Sequence, residues 1–156
     1  MEDVSRKQAS FDLPIAVRWA DLDPNGHVRH SVYYDWGAQA RLSYLESKGV
    51  GVPWMTKHGI GPVLFREEAR FMREIRFGDA LTIDVWLSAA SDDGRKWQMR
   101  HRILRGGELC ATIEIDGAWL DLRARKIVAP PADLVQAFGN VDRSDDFRVL
   151  TSSKPG

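Results

Sequence analysis

The chain has 156 residues, of which 44% are hydrophobic and 28% are charged, as expected for one soluble globular domain. Basic and acidic residues number 22 each, so the formal net charge is zero and there is no overall positive field to attract nucleic acid. No apolar run is long enough to span a bilayer, and residues 1–10 lack the apolar core of a signal peptide. The one cysteine, Cys110, excludes an intrachain disulfide. We therefore expect a cytoplasmic protein that binds neither nucleic acid nor membranes.

The first half of the chain predicts a strand, a loop and a long helix. Apolar residues alternate over residues 11–19, which is typical of a strand. Over residues 31–48 apolar and aromatic residues recur every three or four positions, which predicts a helix that Ser31 or His30 caps. Residues 53–58 allow one further short helical turn.

The second half predicts strands that follow one another through tight turns. A long, bent strand is expected over residues 61–77, and alternating segments follow at 81–87, 97–103 and 109–122. Ser91-Asp92-Asp93-Gly94 has the composition of a hairpin turn. A short helix is expected at 132–138, and the polar residues 142–156 are expected to form a loose tail.

These elements predict an α+β fold in which an antiparallel sheet of about five strands packs on one long helix. We expect one domain over residues 1–156, with a core at about 11–138 and a polar tail at 142–156. Such a sheet has two exposed edges, and pairing of edges from two copies would cover them. A homodimer or homotetramer is therefore expected.

Residues 21–32 read Asp-Leu-Asp-Pro-Asn-Gly-His-Val-Arg-His-Ser-Val and connect the first strand to the long helix. Two acids, an amide and two histidines crowd this loop, and loops between rigid elements commonly carry chemistry. A helix start also offers unpaired N–H donors, which favour a developing anion. The composition of the loop indicates a site, although Asp23-Pro24 and Asn25-Gly26 are equally typical of plain turns.

The loop resembles that of hotdog-fold thioesterases, specifically the branch that contains 4-hydroxybenzoyl-CoA thioesterase. The matching residues are Asp21 to Val28, then Tyr33, Trp36 and the segment Arg41-Leu42-Ser43-Tyr44-Leu45. Residues 71–79 are similar to the strand and turn of that family. The resemblance covers residues 11–138 and implies a hotdog fold, an antiparallel sheet wrapped around one long central helix, together with acyl-thioester hydrolysis.

The resemblance also implies roles for residues of the loop. Asp23 stands at the position of the catalytic aspartate, acting as nucleophile or as general base for water. The main-chain N–H at His30 stands where the family polarises the thioester carbonyl. Asn25 and His27 match polar positions that the acyl-acyl carrier protein branch treats as functional. Arg29 and His30 differ from that branch, so a CoA thioester is favoured over a carrier-protein thioester.

Three residues outside the loop are further candidates. Glu67 shares the alternation of Val63, Phe65, Ala69 and Phe71, which would bury a carboxylate among apolar residues, unless a bulge turns it to solvent. Tyr33 and Trp36 are either helix core or the lining of an acyl tunnel. His101 lies on the apolar face of its strand and is expected to be a hydrogen-bonded core residue.

The prediction is therefore hydrolysis of an acyl-CoA thioester to the free acid and CoA. Neither a metal nor a cofactor is expected, and CoA enters only as part of the substrate. A hotdog hydratase is one alternative, but its aspartate and histidine are five residues apart, whereas Asp23 and His27 are four apart. A non-catalytic module that binds acyl thioesters is the other alternative.

Overall fold

The computed structural model describes residues 7–151, so the predictions for residues 1–6 and 152–156 lie outside the described chain. A short 3₁₀ turn occupies Trp19–Asp21. The helices are α1 (Val32–Ser47), α2 (Val52–His58) and α3 (Ala132–Gly139). The strands are β1 (Asp12–Ile15), β2 (Ile60–Phe71), β3 (Leu81–Asp84), β4 (Trp86–Ser91), β5 (Lys96–Arg105), β6 (Glu108–Asp121), β7 (Lys126–Ile127) and β8 (Arg143–Leu150). No helix within residues 7–151 is long and apolar enough to cross a membrane.

The sheet has β5 at its centre, and its long neighbours are antiparallel to it. β3 and β4 lie on one side, β6 lies on the other, and β2 pairs with the far edge of β6. β1 pairs with β3, and β7 pairs with the end of β6. Helix α1 packs across the inner face of this curled sheet. The predicted α+β hotdog fold, with a mainly antiparallel sheet around one long helix, is confirmed.

Helix α1 begins and ends within one residue of the predicted segment, because its apolar spacing matches the helical period. Its sheet-facing side buries Val32, Tyr33, Trp36, Ala40 and Tyr44, each no more than 8% exposed. Residues of opposite strands, among them isoleucines of β5 and β6, complete the core. The first turn of α1, which follows the loop at 21–32, is therefore held firmly against the sheet.

The prediction of a loose tail is wrong for Arg143–Leu150. This segment forms β8 and pairs with β4 in the parallel direction. Phe147 packs against the core, and Asp146 accepts two hydrogen bonds, at 2.7 and 2.8 Å, from the Arg100 guanidinium. The segment is polar because its partners on the outer face of the sheet are charged, so composition alone misses the strand.

Strand β2 forms an edge of the sheet, since β6 is the one strand it pairs with among residues 7–151. Its register shifts between Leu64 and Arg66, which marks a bulge at Phe65. The bulge exchanges the faces of the strand, so Leu64 and Glu67 both lie opposite inward-facing positions of β6. The sequence predicted one continuous face over residues 63–71. This prediction is therefore wrong for the first half of that segment.

Gly117 of β6 allows a close approach of the Trp97 ring from the neighbouring strand β5. The two residues are directly paired, and an added Cβ at Gly117 would lie 2.4 Å from the outer edge of the Trp97 ring. The indole therefore lies flat across its partner and points into the space under α1. This placement is used below, because Trp97 lines a cavity.

Candidate active site

The loop at 21–32 is built around the carboxylate of Asp23. Its Oδ1 accepts hydrogen bonds from the main-chain N–H groups of Asn25 at 2.9 Å and His27 at 3.1 Å. The main-chain N–H of Asp23 donates to His27 O at 2.7 Å. Gly26 provides the left-handed residue of the turn, with φ 81°. One carboxylate oxygen thus fixes the turn, while Oδ2 makes no hydrogen bond with any residue in the range 7–151.

The Asp23 carboxylate is half-buried and lines an open cavity of about 310 Å³. The loop and the first turn of α1 form one wall, and the end of β2 with the residues after it forms the other. The lining from the first wall includes Asp23, His27, His30 and Tyr33. The structure therefore brings the predicted carboxylate to the same cavity as the predicted helix start.

The start of α1 offers the unpaired donors that the sequence indicated. Ser31 is the N-cap residue, but its side chain makes no capping hydrogen bond and instead accepts one from Arg29 Nε at 3.2 Å. The Val32 N–H donates to Arg29 O, whereas the His30 N–H has no hydrogen-bond partner within residues 7–151. An N–H donor beside a cavity, next to a helix N-terminus, suits a developing oxyanion.

His27 contacts a residue whose role the sequence did not predict. Its Nε2 lies 3.1 Å from Oε2 of Glu74, which follows β2 and also pairs with Arg76. The end of β2 contributes Phe71, Met72 and Glu74 to the same cavity. In the sequence, this wall is indicated by the similarity of residues 71–79 to the strand and turn of the family. His27 thus has a carboxylate partner on the opposite wall.

The remaining candidates lie at different distances from this cavity. Tyr33 lines it, whereas Trp36, which is 8% exposed, packs beside Tyr33 in the core. The Asn25 side chain is exposed and does not line the cavity. Glu67 faces the groove between β2 and α1 but is exposed, because the strand it belongs to is an edge.

Tyr33 keeps its hydroxyl protonated beside Asp23. Burial, reinforced by the nearby negative charge of Asp23, raises the pKa of Tyr33 to about 12. Its ring meets Phe71 edge to face, with 4.8 Å between centroids, and both residues line the cavity. The site therefore combines a carboxylate, N–H donors and a neutral phenol against an aromatic floor.

Asp21 supports the loop from below. It is buried, and both of its oxygens accept hydrogen bonds from Arg18, including one of 2.8 Å from Nη2. The Arg18 side chain is the largest reason why the pKa of Asp21 is lowered. Asp21 O also accepts the Arg29 N–H at 2.8 Å. This arrangement makes Asp21 a structural acceptor within the loop.

His101 lies under α1 and is fully buried. Its Nδ1 is 2.8 Å from the main-chain O of Asp84, and its Nε2 is 3.0 Å from Nη1 of Arg41. A carbonyl only accepts and a guanidinium only donates, so the ring is neutral with its proton on Nδ1. Burial, reinforced by the charge of Arg41, lowers the pKa of His101 to about 3. The expectation of a hydrogen-bonded core histidine is confirmed.

The free energy of unfolding is expected to decrease as the pH is lowered, because of His101. Below its ordinary pKa near 6.5 the unfolded chain binds a proton on this ring, whereas the folded protein stays neutral down to about pH 3. The neutral ring makes its full contribution to the free energy of unfolding above about pH 6.5. About 2 kcal/mol of that free energy is lost by about pH 5. Urea unfolding measured from pH 7 to about pH 5 should show this slope, and His101→Asn should remove it. Exposed His58→Asn is the control, and parallel profiles for His101→Asn and the unmodified protein would refute the assignment.

Comparison with known proteins decides the family. The pattern of the thioesterase-like superfamily matches residues 17–138, which include the whole loop at 21–32 and both walls of the cavity. The chain belongs to this superfamily. Its membership confirms the resemblance to hotdog thioesterases and supports thioester hydrolysis as the reaction class.

Individual members of the superfamily cover most of the chain. A Synechocystis protein that carries an esterase name, sll0410, is 29% identical over 126 residues, which span 81% of this chain and 76% of that protein. ATL3, a chloroplastic acyl-acyl carrier protein thioesterase of Arabidopsis thaliana, is 25% identical over 137 residues, or 86% and 70% of the two chains. The solved structure of Slr0204, a 1,4-dihydroxy-2-naphthoyl-CoA thioesterase from Synechocystis, has a TM-score of 0.75 at 20% identity and covers 83% of this chain and 96% of its own. This last similarity concerns the fold.

Proposed function

We propose that the protein hydrolyses an acyl-CoA thioester to the free acid and CoA without a metal. The observation that carries the proposal is the Asp23 carboxylate, whose Oδ1 is held by two N–H groups while Oδ2 is left without a hydrogen bond beside the cavity. The unpaired His30 N–H lies on the same cavity wall. A base or nucleophile and an oxyanion donor are the two groups that thioester hydrolysis requires.

In the general-base route, Oδ2 of Asp23 takes a proton from water as the water oxygen bonds to the thioester carbon. The carbonyl electrons move to oxygen, and the His30 N–H stabilises the resulting oxyanion. The intermediate then expels the CoA thiolate, which takes the proton back from Asp23. In the nucleophilic route, Oδ2 itself bonds to the carbonyl carbon, and water hydrolyses the mixed anhydride after the thiolate has left.

Asn25 and His27 support either route through the main chain. Their N–H groups hold Oδ1, and so determine which oxygen of Asp23 faces the substrate. The His27 ring, paired with Glu74, ties the loop to the end of β2. Both residues therefore act as positioning residues of the proposed site.

The phosphates of CoA would meet a second opening beside the Asp23 cavity. This opening of about 430 Å³ shares Met72, Arg73 and Glu74 with it, and is bordered by Arg76 and Arg105 as well. Arginine presents a planar fork that suits phosphate. This cluster supports CoA over an acyl-carrier protein as the donor of the thioester, although each arginine also has an acidic partner in the protein.

A homodimer is proposed through the β2 edge. Phe65 and Phe71 are 60% and 53% exposed along this strand, and its outer backbone groups face away from the sheet. Light scattering should then give a mass at least twice the 17.7 kDa of one chain. Phe65→Lys should lower that mass, and Val135→Lys, at an exposed position of α3, should not. A monomeric mass for the unmodified protein would contradict this part of the proposal.

Release of free thiol from a panel of acyl-CoAs tests the proposed reaction. The panel includes benzoyl-, hydroxybenzoyl-, butanoyl-, hexanoyl- and palmitoyl-CoA, with the same acyl groups on a carrier protein for comparison. Thiol release from one or more CoA thioesters is the expected result. No release from any thioester would overturn the proposal, and hydration of crotonyl-CoA without thiol release would replace it with a hydratase.

A further inference from the structure

A second cavity of about 230 Å³ lies farther along α1 from the Asp23 loop. Like the first cavity, it is lined by residues of α1 and β2, and α3 contributes to its lining as well. Its lining includes Arg41 and Leu45 of α1, Leu64 of β2, Trp97 of β5, Trp119 of β6 and Phe138 of α3. The walls are mainly aromatic and aliphatic, as is common for small-molecule sites.

The polar side chains that line this cavity carry hydrogen-bond donors. The indole Nε1 atoms of Trp97 and Trp119 are buried and have no hydrogen-bond partner among residues 7–151, although each ring is no more than 2% exposed. The Tyr44 hydroxyl already donates to Ala137 O at 2.7 Å. Within residues 7–151, no aspartate or glutamate lines the cavity. An anionic ligand would therefore meet no negative side-chain charge in the lining that residues 7–151 provide.

Arg41 adds a positive charge to the wall. Its guanidinium is partly buried and hydrogen-bonds the neutral His101 ring, but it forms no ion pair with a carboxylate of residues 7–151. Burial lowers the pKa of Arg41, and the more distant charge of Glu67 opposes that shift without offsetting it. A cation in a low-dielectric wall with no carboxylate in contact favours an anionic ligand.

Gly37 places this cation within reach of the reacting centre. A Cβ at Gly37 would lie 3.2 Å from Arg41 Nη1 and 3.3 Å from His101 Cδ2, so the guanidinium folds back over Gly37. Gly37 follows the helix start at Val32 by five residues, which corresponds to about 7.5 Å along the axis. An extended chain advances roughly 1.2 Å per bond, so about six bonds span this distance.

We infer that this cavity selects acyl groups that end in a carboxylate, with Arg41 binding the distal carboxylate while the thioester lies at Asp23. The inference rests on the proposed function, because it assigns the acyl end of that substrate. The aromatic walls pack against the methylene groups. A monothioester of a dicarboxylic acid of about adipoyl length fits the spacing between helix start and guanidinium.

Hydrolysis of matched substrates tests the inference. The pairs are succinyl- with butanoyl-CoA, adipoyl- with hexanoyl-CoA, and suberoyl- with octanoyl-CoA. Since a hydrogen bond to a charged group changes affinity by about 10-fold to 100-fold, kcat/KM for adipoyl-CoA should exceed that for hexanoyl-CoA at least about tenfold. Arg41→Met should lower this ratio by a similar factor, and Arg41→Lys should retain part of it. Arg123→Met, which makes the same change in an exposed turn, is the control and should leave the ratio unchanged.

Binding of unreactive analogues separates this inference from the proposed reaction. CoA alkylated on sulfur with a carboxypentyl group and CoA alkylated with a hexyl group are compared by calorimetry, alongside thermal unfolding of each variant. Tighter binding of the carboxypentyl compound that Arg41→Met removes supports the inference, even if no thioester is hydrolysed. Equal or weaker binding of the carboxypentyl compound overturns it, even if hexanoyl-CoA is hydrolysed rapidly.

Discussion

Asp23→Asn is expected to lower kcat for thioester hydrolysis by about 10²- to 10⁴-fold, the usual contribution of a positioned general base. The amide can neither take a proton from water at neutral pH nor attack the thioester carbon, so both proposed routes fail. The amide oxygen can still accept the N–H groups of Asn25 and His27, which now bond to Oδ1. The loop should therefore keep its shape, and thiol release under substrate saturation measures the loss.

A matched substitution and an isotope measurement complete this test. Asp92→Asn makes the same chemical change in the exposed turn before β5 and should leave kcat and the unfolding temperature unchanged. Full activity in Asp23→Asn would remove Asp23 from the reaction. Label in the Asp23 peptide after a single turnover in heavy-oxygen water would identify the nucleophilic route, because water that opens a mixed anhydride at the aspartyl carbon leaves its oxygen there, whereas general-base catalysis leaves none.

Arg102→Met is expected to destabilise the fold by about 3–5 kcal/mol, because it leaves a buried carboxylate without its cation. Asp84 and Arg102 are 2% and 4% exposed, and Arg102 donates to Asp84 Oδ2 from Nε and to Oδ1 from its main-chain N–H, each at 2.7 Å. Burial already raises the pKa of Asp84. Unfolding in guanidinium chloride at neutral pH measures the loss. Arg95 forms a solvent-accessible ion pair with Asp93, so Arg95→Met should lower the free energy of unfolding by less than about 1 kcal/mol.

The sign of the pH dependence identifies the cause. A carboxyl whose pKa is raised in the folded protein binds more protons there than in the unfolded chain, so its penalty grows as pH rises above about 4. The deficit of Arg102→Met should therefore shrink on acidification. The double variant Asp84→Asn with Arg102→Met removes the charge and should recover a large part of the loss. A deficit that persists unchanged in the double variant would show that the packing of Arg102 on Trp86, and not the charge, is responsible.

This buried pair also supports the proposed acyl cavity. The main-chain O of Asp84 holds His101, and His101 in turn accepts the hydrogen bond from Arg41. The position of the cation thus depends on a polar connection that runs from the sheet to α1. None of these residues lies within the loop at 21–32, which carries the family resemblance.

Several elements follow from local sequence because their physical causes are local. The period of apolar residues predicts α1 to within one residue, and alternation predicts the antiparallel strands β5 and β6. Turn-forming residues place the Asp23 loop correctly between strand and helix. Among the predictions that failed, those for β8 and for the β2 face depend on distant partners: β8 pairs with β4, and the bulge at Phe65 depends on the register of β2 with β6.

The sequence by itself predicted the class of fold, since turn chemistry and side-chain period act over a few residues, and its resemblance to hotdog thioesterases indicated the family and proposed Asp23 as the reacting carboxylate. Only the tertiary structure decided what faces that carboxylate. Glu74 meets His27 across the cavity, and Arg41 meets His101 beneath the helix, although each pair is far apart in the chain. Such contacts depend on strand register and on the packing of α1 across the sheet, which no local pattern of residues encodes.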